Sequence, residues 1–374
     1  MNFDLSEEQQ LVSDSIERFV QENYNLDSRI AIVKKSPGYS EEYWKTMSEL
    51  GWLGLPFSED DGGFGGDQID TMVLMEQFGK GLVLEPYLAS IILGGGAIKR
   101  AGNDEQRQAW LEGVIDGSKQ LALAYAEPES GDEPHNVALA GNKTGDGYTL
   151  TGTKCMVLHG GTATAFVVSF RTSGGTVDQS GITLALIPAD REGLSIQAFP
   201  TVDGLQSSEL TFDKVAVTAA DIIGDVDGGF ETLNATINDG ILAVAAEAVG
   251  AMEVLYKDTV AYTQDREQFD HPLSDFQVLQ HRMVEMFMEY EQCKSLLFRA
   301  TMEVASNGDD AQRCVHALKH LIGKASFFVG ENAVQTHGGM GVTEELRVGH
   351  YFKRLLVIEA QFGNTDYHLD QFAA

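Results

Sequence analysis

One block of the chain, between residues 120 and 226, is rich in short strand-forming segments, and helical patterns flank it on both sides. Segments such as "QLALAYAEP", "ATAFVVSFRT" and "GITLALIPA" are rich in β-branched residues and are separated by Gly, Asp and Ser. This pattern is typical of an antiparallel sandwich or barrel. The order predicts an α+β protein with an N-terminal helical domain (1–119), a middle β domain (120–226) and a C-terminal helical bundle (227–374).

Helical signals are strong in both flanking regions. Ser6 precedes the acidic first turn of "SEEQQLVSDSIERFVQENY" and is a favourable N-cap. The apolar residues that follow recur at helical spacing: Leu11, Val12, Ile16, Phe19 and Val20. After the β block, a long helical run from about 230 to 264 is followed by three more helical segments. Four long helices in succession favour an up-and-down bundle.

Composition excludes several classes of function. The formal net charge is −30, which argues against nucleic acid or an anionic membrane surface as a partner. The three cysteines, Cys155, Cys293 and Cys314, lie far apart without metal-ligand spacing, so we expect a reduced, cytoplasmic protein with no metal site. The first ten residues, "MNFDLSEEQQ", lack an apolar core, so no signal peptide is expected. No run of about 18 apolar residues predicts a membrane span.

The stretch "QTHGGMGVTEE", residues 335–345, packs three glycines and a histidine into a short turn late in the chain. Glycines without a Cβ allow the backbone to approach a ligand closely. The same stretch could equally be a helix stop followed by a new helix start. The stretch alone leaves both interpretations open.

A second segment, "DREQFDHPLSDFQVLQH" (residues 265–281), completes a pattern. An Arg-x-x-Phe-type segment before a Gln-containing helix, followed later by a Gln-x-x-Gly-Gly-x-Gly turn, resembles the acyl-CoA dehydrogenase family over essentially the whole chain. The resemblance implies a flavoprotein with FAD that dehydrogenates an acyl-CoA thioester in the β-oxidation of fatty acids or steroids. It also implies electron-transfer flavoprotein or a similar acceptor, and a tetramer with FAD lying across a dimer interface.

The two segments are implied to contact the ADP end of a flavin held by the neighbouring subunit. Arg266 would pair with a phosphate, because an arginine fork matches phosphate oxygens. The glycines would offer backbone N–H donors. The cofactor-binding residues implied by the resemblance are Arg266, Gln268, Phe269, Gln277, Gln335, Gly338 and Gly339.

Neither usual position of the family's catalytic base holds a carboxylate. At the first position, before Gly363, the chain has Phe362, and Glu359 lies three residues earlier. At the second position, on the long helix, it has Gly240, and Asp239 is one residue out of phase.

Glu247 is the remaining candidate base. It lies in "AVAAEAVG", an otherwise small and apolar helix, seven residues beyond Gly240 and on nearly the same face. An isolated Glu in such surroundings would be desolvated and its pKa raised, as for a catalytic base. Alternatively, Glu247 is a buried residue paired with an Arg, or an interface residue.

The flavin-ring side of the family pattern is also altered. Ala126, Met156 and Leu158 replace the Thr, the Trp and the hydroxyl residue of the family. Residues for a neighbour's flavin are kept while those for the chain's own flavin ring are lost. The chain therefore resembles the second, smaller subunit of heteromeric α2β2 acyl-CoA dehydrogenases of pimeloyl-CoA or steroid side-chain breakdown. The alternatives are a self-sufficient homo-oligomer using Glu247, a non-catalytic scaffold, and a flavin enzyme of this fold with other chemistry.

Overall fold

The computed structural model describes residues 5–374, which contain helices at both ends of the chain and a sheet between them. The α-helices are α1 (Glu7–Asn23), α2 (Leu26–Val33), α3 (Glu41–Glu49), α4 (Gln68–Gly81), α5 (Gly96–Ala101), α6 (Asp104–Ile115), α7 (Gly229–Asp265), α8 (Gln277–Ala305), α9 (Ala311–His337), α10 (Arg347–Ala360) and α11 (Thr365–Ala373). The strands are β1 (Leu121–Ala124), β2 (Ala140–Thr144), β3 (Gly147–Leu158), β4 (Ala165–Arg171), β5 (Ile182–Pro188), β6 (Leu194–Pro200), β7 (Gln206–Val217), β8 (Ile222–Ile223), β9 (Glu267–Gln268) and β10 (His271–Pro272).

The described residues form two compact units. The helical unit comprises residues 5–31, Asp67–Val83 and Ile241–Ala374. The sheet unit comprises Ile32–Gly66 and Leu84–Gly240. The predicted order of helices, β block and helices is confirmed. The three-domain boundaries at 119/120 and 226/227 stay a prediction.

The sheet unit is built on one sheet with the strand order β6-β7-β3-β2-β4-β5-β8. Neighbouring strands pair mainly antiparallel, as predicted, while β1 pairs parallel with β4. The core on this sheet is formed by fully buried apolar residues, among them Phe166, Val168, Phe170 and Leu210. The β-branched and aromatic composition of the block therefore reflects strands that are largely buried.

In the helical unit, α4 and α7 cross with their backbones in contact. A Cβ added to Gly79 would lie 2.0 Å from the carbonyl oxygen of Glu247. A Cβ added to Gly250 would lie 2.0 Å from the carbonyl oxygen of Glu76. Each helix thus contributes a Glu-x-x-Gly segment, and each glycine accommodates the other helix's glutamate carbonyl. We call this arrangement the Glu-x-x-Gly crossing.

Two local predictions for the N-terminal region have different outcomes. Ser6 is the N-cap of α1, and its hydroxyl accepts a hydrogen bond from the backbone N–H of Gln9 at 3.1 Å. The expected apolar face is confirmed at Ile16, Phe19 and Val20 but wrong at Leu11, which is 70% exposed, because Ser13 takes the place on the buried side. The signal-peptide prediction concerns a stretch whose first four residues lie outside the described residues. Among residues 5–374, no helix is long and apolar enough to cross a membrane.

Candidate functional site

A short hairpin follows α7 and carries part of the predicted cofactor site. Strands β9 and β10 are joined by Phe269 and Asp270, whose φ angles are +58° and +64°. Positive φ at both central residues is the geometry of a type I′ turn, which matches the twist of a two-residue hairpin. The Phe269 side chain is 84% exposed. The sequence analysis did not predict this hairpin, since it contains none of the Asn-Gly or Asp-Gly signals.

Arg266 lies at the base of the hairpin with its backbone fixed and its side chain exposed. Its N–H donates to Tyr262 O at 2.9 Å, and its carbonyl accepts from Leu273 N at 2.8 Å. Within residues 5–374, its guanidinium forms no ion pair or hydrogen bond. Gln268 donates only to the neighbouring Glu267 carbonyl, at 2.8 Å. Exposed Gln277 begins α8 nearby in sequence.

The glycine turn lies against the end of α7. The last residue of α9, His337, is buried, and its ring stacks on Tyr262 with centroids 4.2 Å apart. Its Nδ1 donates to Ala333 O at 2.8 Å, which fixes the ring. Tyr262 precedes Arg266 by one helical turn, and His337 directly precedes Gly338. The stack therefore brings the two predicted segments to the same end of the helical unit.

Gly338 and Gly339 present open backbone next to this stack. Gly338 has a φ of +61° and ends α9, so the turn is a helix stop, while its role as a cofactor contact stays a prediction. A Cβ at either glycine would meet no atom within 4 Å, whereas a Cβ at Gly341 would lie 2.6 Å from Val334 O. Gly341 is therefore needed for packing, while Gly338 and Gly339 leave room that no side chain fills. Gln335 is exposed on the preceding turn of α9.

These residues fit the phosphate end of a flavin nucleotide. The guanidinium of Arg266 is exposed and unpaired, and an accessible glycine backbone lies at the same end of the bundle. Both are chemically suited to an anion. A cavity of about 370 Å³ beside the His337 ring contains Arg347, but two bonds of 2.6 Å to Asp258 neutralise that charge. Within the described residues, Arg266 is therefore an exposed cation without a competing bond, unlike Arg347.

Glu247 is not the isolated carboxylate that the sequence analysis expected. It is buried, and both of its oxygens accept from Arg354: Oε1 from Nε at 2.6 Å and Oε2 from Nη2 at 2.7 Å. This premise of the base assignment is wrong, because a long-range partner on α10 neutralises the charge. The alternative interpretation, a buried Glu paired with an Arg, describes the geometry. A role for Glu247 as base stays a prediction.

The other carboxylates near the usual base positions are also engaged. Oε1 of Glu359 accepts from the Thr365 N–H at 3.0 Å and from its hydroxyl at 2.8 Å. Asp239 forms an ion pair with Arg100. Phe362 itself is buried, with a φ of +59°. The carboxylates of Glu359 and Asp239 are therefore each held by a bond that stabilises the local structure.

A buried lysine, which the sequence analysis missed, fixes the turn around Phe362. Nζ of Lys319 is fully buried and donates to the carbonyl oxygens of Glu359 and Gly363, both at 2.8 Å. From α11, Nε2 of His368 donates to Phe362 O at 2.9 Å. We call these three bonds the Lys319–His368 clamp. Lys319 lies between His316 and His320 in the sequence of α9, so no local pattern indicates that it is buried.

The three altered ring-side positions lie in the sheet unit. Met156 is 54% exposed with a φ of +51°, in a bulge between Lys154 and Val157 where β3 pairs with β7. The Ala126 carbonyl accepts from Cys155 N at 2.9 Å. Nζ of Lys154 is buried 2.7 Å from Glu127 Oε1, and burial lowers the pKa of Lys154 to about 8. This ion pair ties the Ala126 segment to β3.

Comparison with known proteins identifies the family. Models of the acyl-CoA dehydrogenase N-terminal, middle and C-terminal domains match residues 6–118, 122–215 and 227–374. A probable acyl-CoA dehydrogenase of Bacillus subtilis, YngJ, is 28% identical over 371 residues, which cover 98% of this chain and 97% of that protein.

Two solved structures share the fold along the whole chain. A chain of the ChsE4–ChsE5 complex from Mycobacterium tuberculosis has a TM-score of 0.91 at 26% identity, covering 100% of this chain and 98% of that chain. PigA, solved with FAD and proline, has a TM-score of 0.92 at 25% identity, with the same coverage of 100% and 98%. The chain is therefore a flavoprotein oxidoreductase of the acyl-CoA dehydrogenase family, and its cofactor is FAD.

Proposed function

We propose that this chain is the second-type subunit of a heteromeric acyl-CoA dehydrogenase. It completes the FAD site of a homologous partner chain and does not supply the catalytic base. One observation carries the proposal: Arg266 is exposed and unpaired at the same end of the helical unit as the open Gly338–Gly339 backbone, while the candidate base Glu247 is bound by Arg354. Arg266 therefore has no competing bond within the described residues, whereas both carboxylate oxygens of Glu247 are bound by Arg354.

Within such an assembly, the residues of this chain bind and orient the cofactor. FAD, when bound, supplies the redox chemistry of the reaction. Arg266 balances phosphate charge with a planar pair of donors. The open backbone at Gly339 lets the same anion approach closely, whereas the Gly338 N–H already donates to Gln335 O. The exposed Phe269 at the hairpin tip becomes buried against the partner. Gln268, Gln277 and Gln335 supply neutral polar contacts around it.

The substrate and partners of the proposed enzyme follow from its family. We propose an acyl-CoA thioester as substrate and electron-transfer flavoprotein or a similar protein as electron acceptor, in the cytoplasm. A two-chain assembly is supported by the ChsE4–ChsE5 complex, which is named for two components and contains a chain similar to this one over its whole length. The altered positions Ala126, Met156 and Leu158 support a partner that provides the flavin-ring pocket.

The test is the visible spectrum and molecular mass of the chain purified alone, and again after isolation with its associated subunits. We expect the lone chain to hold little flavin and to lack acyl-CoA dehydrogenase activity. The assembly with its partner should be yellow and active. A lone homo-oligomer with near-stoichiometric FAD and full activity would contradict the proposal.

Arg266→Gln gives a sharper test in the active assembly. We expect its FAD affinity to fall by about 10- to 100-fold, because a charge-assisted hydrogen bond contributes about 1.5–3 kcal/mol. The melting temperature of the lone chain should not change, since the guanidinium forms no bond within the described residues. Arg18→Gln, at an exposed arginine of α1, is the matched control and should leave FAD affinity unchanged.

A further inference from the structure

Gln361, just after α10, has a buried carboxamide that lacks a hydrogen-bond partner. Within residues 5–374, it is the one side chain whose two polar atoms, here Oε1 and Nε2, are both buried and unpartnered. Folded proteins rarely leave buried donors and acceptors unsatisfied, because each one costs free energy. The described residues therefore do not supply the partner of this carboxamide.

The backbone around Gln361 is fixed, so the carboxamide cannot reach a partner by a small turn of the chain. The Lys319–His368 clamp holds the carbonyl oxygens on both sides of it, at Glu359 and at Phe362 and Gly363. The donor of the first two bonds, Lys319 Nζ, is fully buried. A group held in this way is preorganised for a ligand, since little freedom remains to be lost on binding.

The position of Gln361 follows from the helix. It comes directly after α10, and its backbone N–H still donates to Val357 O at 3.0 Å, so it continues the last turn seven residues after Arg354. Arg354 binds Glu247 of α7, and Ile358, between Arg354 and Gln361 in the sequence, is fully buried. The buried carboxamide therefore lies just beyond the C-terminal end of α10, next to the turn that carries Ile358.

The chemistry of the missing partner is set by the carboxamide. It offers N–H donors and a C=O acceptor without charge. A charged group would need a countercharge in a buried place, and no described charge is bonded to Gln361. The matching ligand groups are neutral N–H donors and C=O acceptors of the amide type.

We propose that Gln361 is a positioning residue that hydrogen-bonds amide-type groups of a bound ligand. This inference rests on the proposed function, because two molecules of that reaction carry such groups. One is the pantetheine arm of an acyl-CoA, with its two amides. The other is the flavin ring, with an imide edge. The first source assigns Gln361 to substrate, and the second to the cofactor.

The test uses Gln361→Met, which keeps the length of the side chain and removes its polar atoms. The full chain is isolated with the subunits that assemble with it. Affinity for free coenzyme A is measured by calorimetry, affinity for FAD by fluorescence quenching, and the melting temperature without ligand. We expect about a tenfold loss in one affinity, as for one buried hydrogen bond. A loss for coenzyme A assigns the pantetheine amides, and a loss for FAD assigns the flavin.

The ligand-free melting temperature separates this role from a structural one. It should stay the same or rise in Gln361→Met, because an unsatisfied buried amide is removed. Gln106→Met is the matched control: Gln106 of α6 is buried, its Oε1 accepts from Asn103 N at 3.1 Å, and its Nε2 donates to Ile222 O at 2.8 Å. That control should lower the melting temperature and leave both affinities unchanged.

Two results overturn the inference. One is a Gln361→Met variant that loses melting temperature as the Gln106 control does, because the carboxamide then serves the fold. The other is a variant with both affinities unchanged. A wild-type assembly that binds neither FAD nor coenzyme A overturns the proposed function as well, and this result is seen without any variant.

Discussion

At the scale of single residues, the pair of Glu247 and Arg354 shows that the sequence predicts burial but not the partner of a buried charge. The small, apolar neighbours of Glu247 predicted burial, and Glu247 is buried. The same neighbours gave no sign of Arg354, which lies on another helix and binds both carboxylate oxygens. Burial is a property of local pattern, whereas the partner of a buried charge is set by tertiary packing. Lys319 was missed for the same reason.

The first prediction concerns this ion pair. Glu247→Gln should destabilise the chain by about 3–5 kcal/mol, because it leaves the Arg354 guanidinium buried without a countercharge. Replacing both residues, as in Glu247→Leu with Arg354→Met, should recover most of that loss. Denaturant unfolding measures both. If Glu247→Gln keeps wild-type stability and abolishes the activity of the assembly, Glu247 is the base after all.

At the scale of helices and strands, local patterns predicted the elements well and their contacts poorly. The long run from about 230 to 264 is α7, and Ser6 caps α1 as expected. These features depend on spacing and on one side chain next to a helix end, which the sequence displays directly. The hairpin at Phe269 and the crossing of α4 with α7 could not be predicted, because their residues show no distinctive pattern in the local sequence.

The Glu-x-x-Gly crossing gives the second prediction. Gly79→Ala and Gly250→Ala should each destabilise the chain by about 3 kcal/mol or more, because the new Cβ would meet a backbone carbonyl and the helices would have to separate. Gly339→Ala is the matched control, since a Cβ there meets nothing within 4 Å. Thermal unfolding of the three variants checks this. Equal melting temperatures for Gly79→Ala and Gly339→Ala would mean that the crossing is not a close contact.

The third prediction concerns the histidines that hold α11. Nε2 of His368 donates to Phe362 O, so its Nδ1 accepts from His316 Nδ1 at 2.9 Å. Both rings are therefore neutral. Burial, together with the nearby charge of Lys319, lowers the pKa of His368 to about 3, and burial lowers the pKa of His316. His320 and Tyr367 are further titratable groups that face them.

The sign of the pH effect follows from these lowered pKa values. The unfolded chain takes up protons below its histidine pKa of about 6.5, while the folded chain does not, so stability is complete above that pH and falls below it. We expect a loss of about 1.4 kcal/mol per pH unit from His368 between pH 6 and pH 4. His368→Gln should flatten this dependence in unfolding experiments. A wild-type stability that rises on acidification would show that the pair is charged in the folded chain.

At the scale of the whole molecule, the order of parts was predictable and the site was predictable only through a resemblance. The β block could be located between the helical regions, because apolar residues recur at different spacings in strands and in helices and this difference is visible over a few residues. Arg266 and Gly338 lie far apart in the sequence, and no feature of either segment predicts that they lie at the same end of the bundle. The stacking of the His337 ring on Tyr262 brings the two segments together. Gln361 could not be recognised either, since its exceptional property is the absence of a hydrogen-bond partner among residues 5–374.

The Glu-x-x-Gly crossing also limits how this chain can be recombined with its relatives. The atom that each glycine accommodates is a main-chain oxygen, which is present whatever residue stands there. No substitution on the opposite helix can therefore make room for a larger residue at Gly79 or Gly250. A chimera that joins the N-terminal half of a relative to the C-terminal half of this chain should fold only if the incoming segment also brings glycine to the position of Gly79.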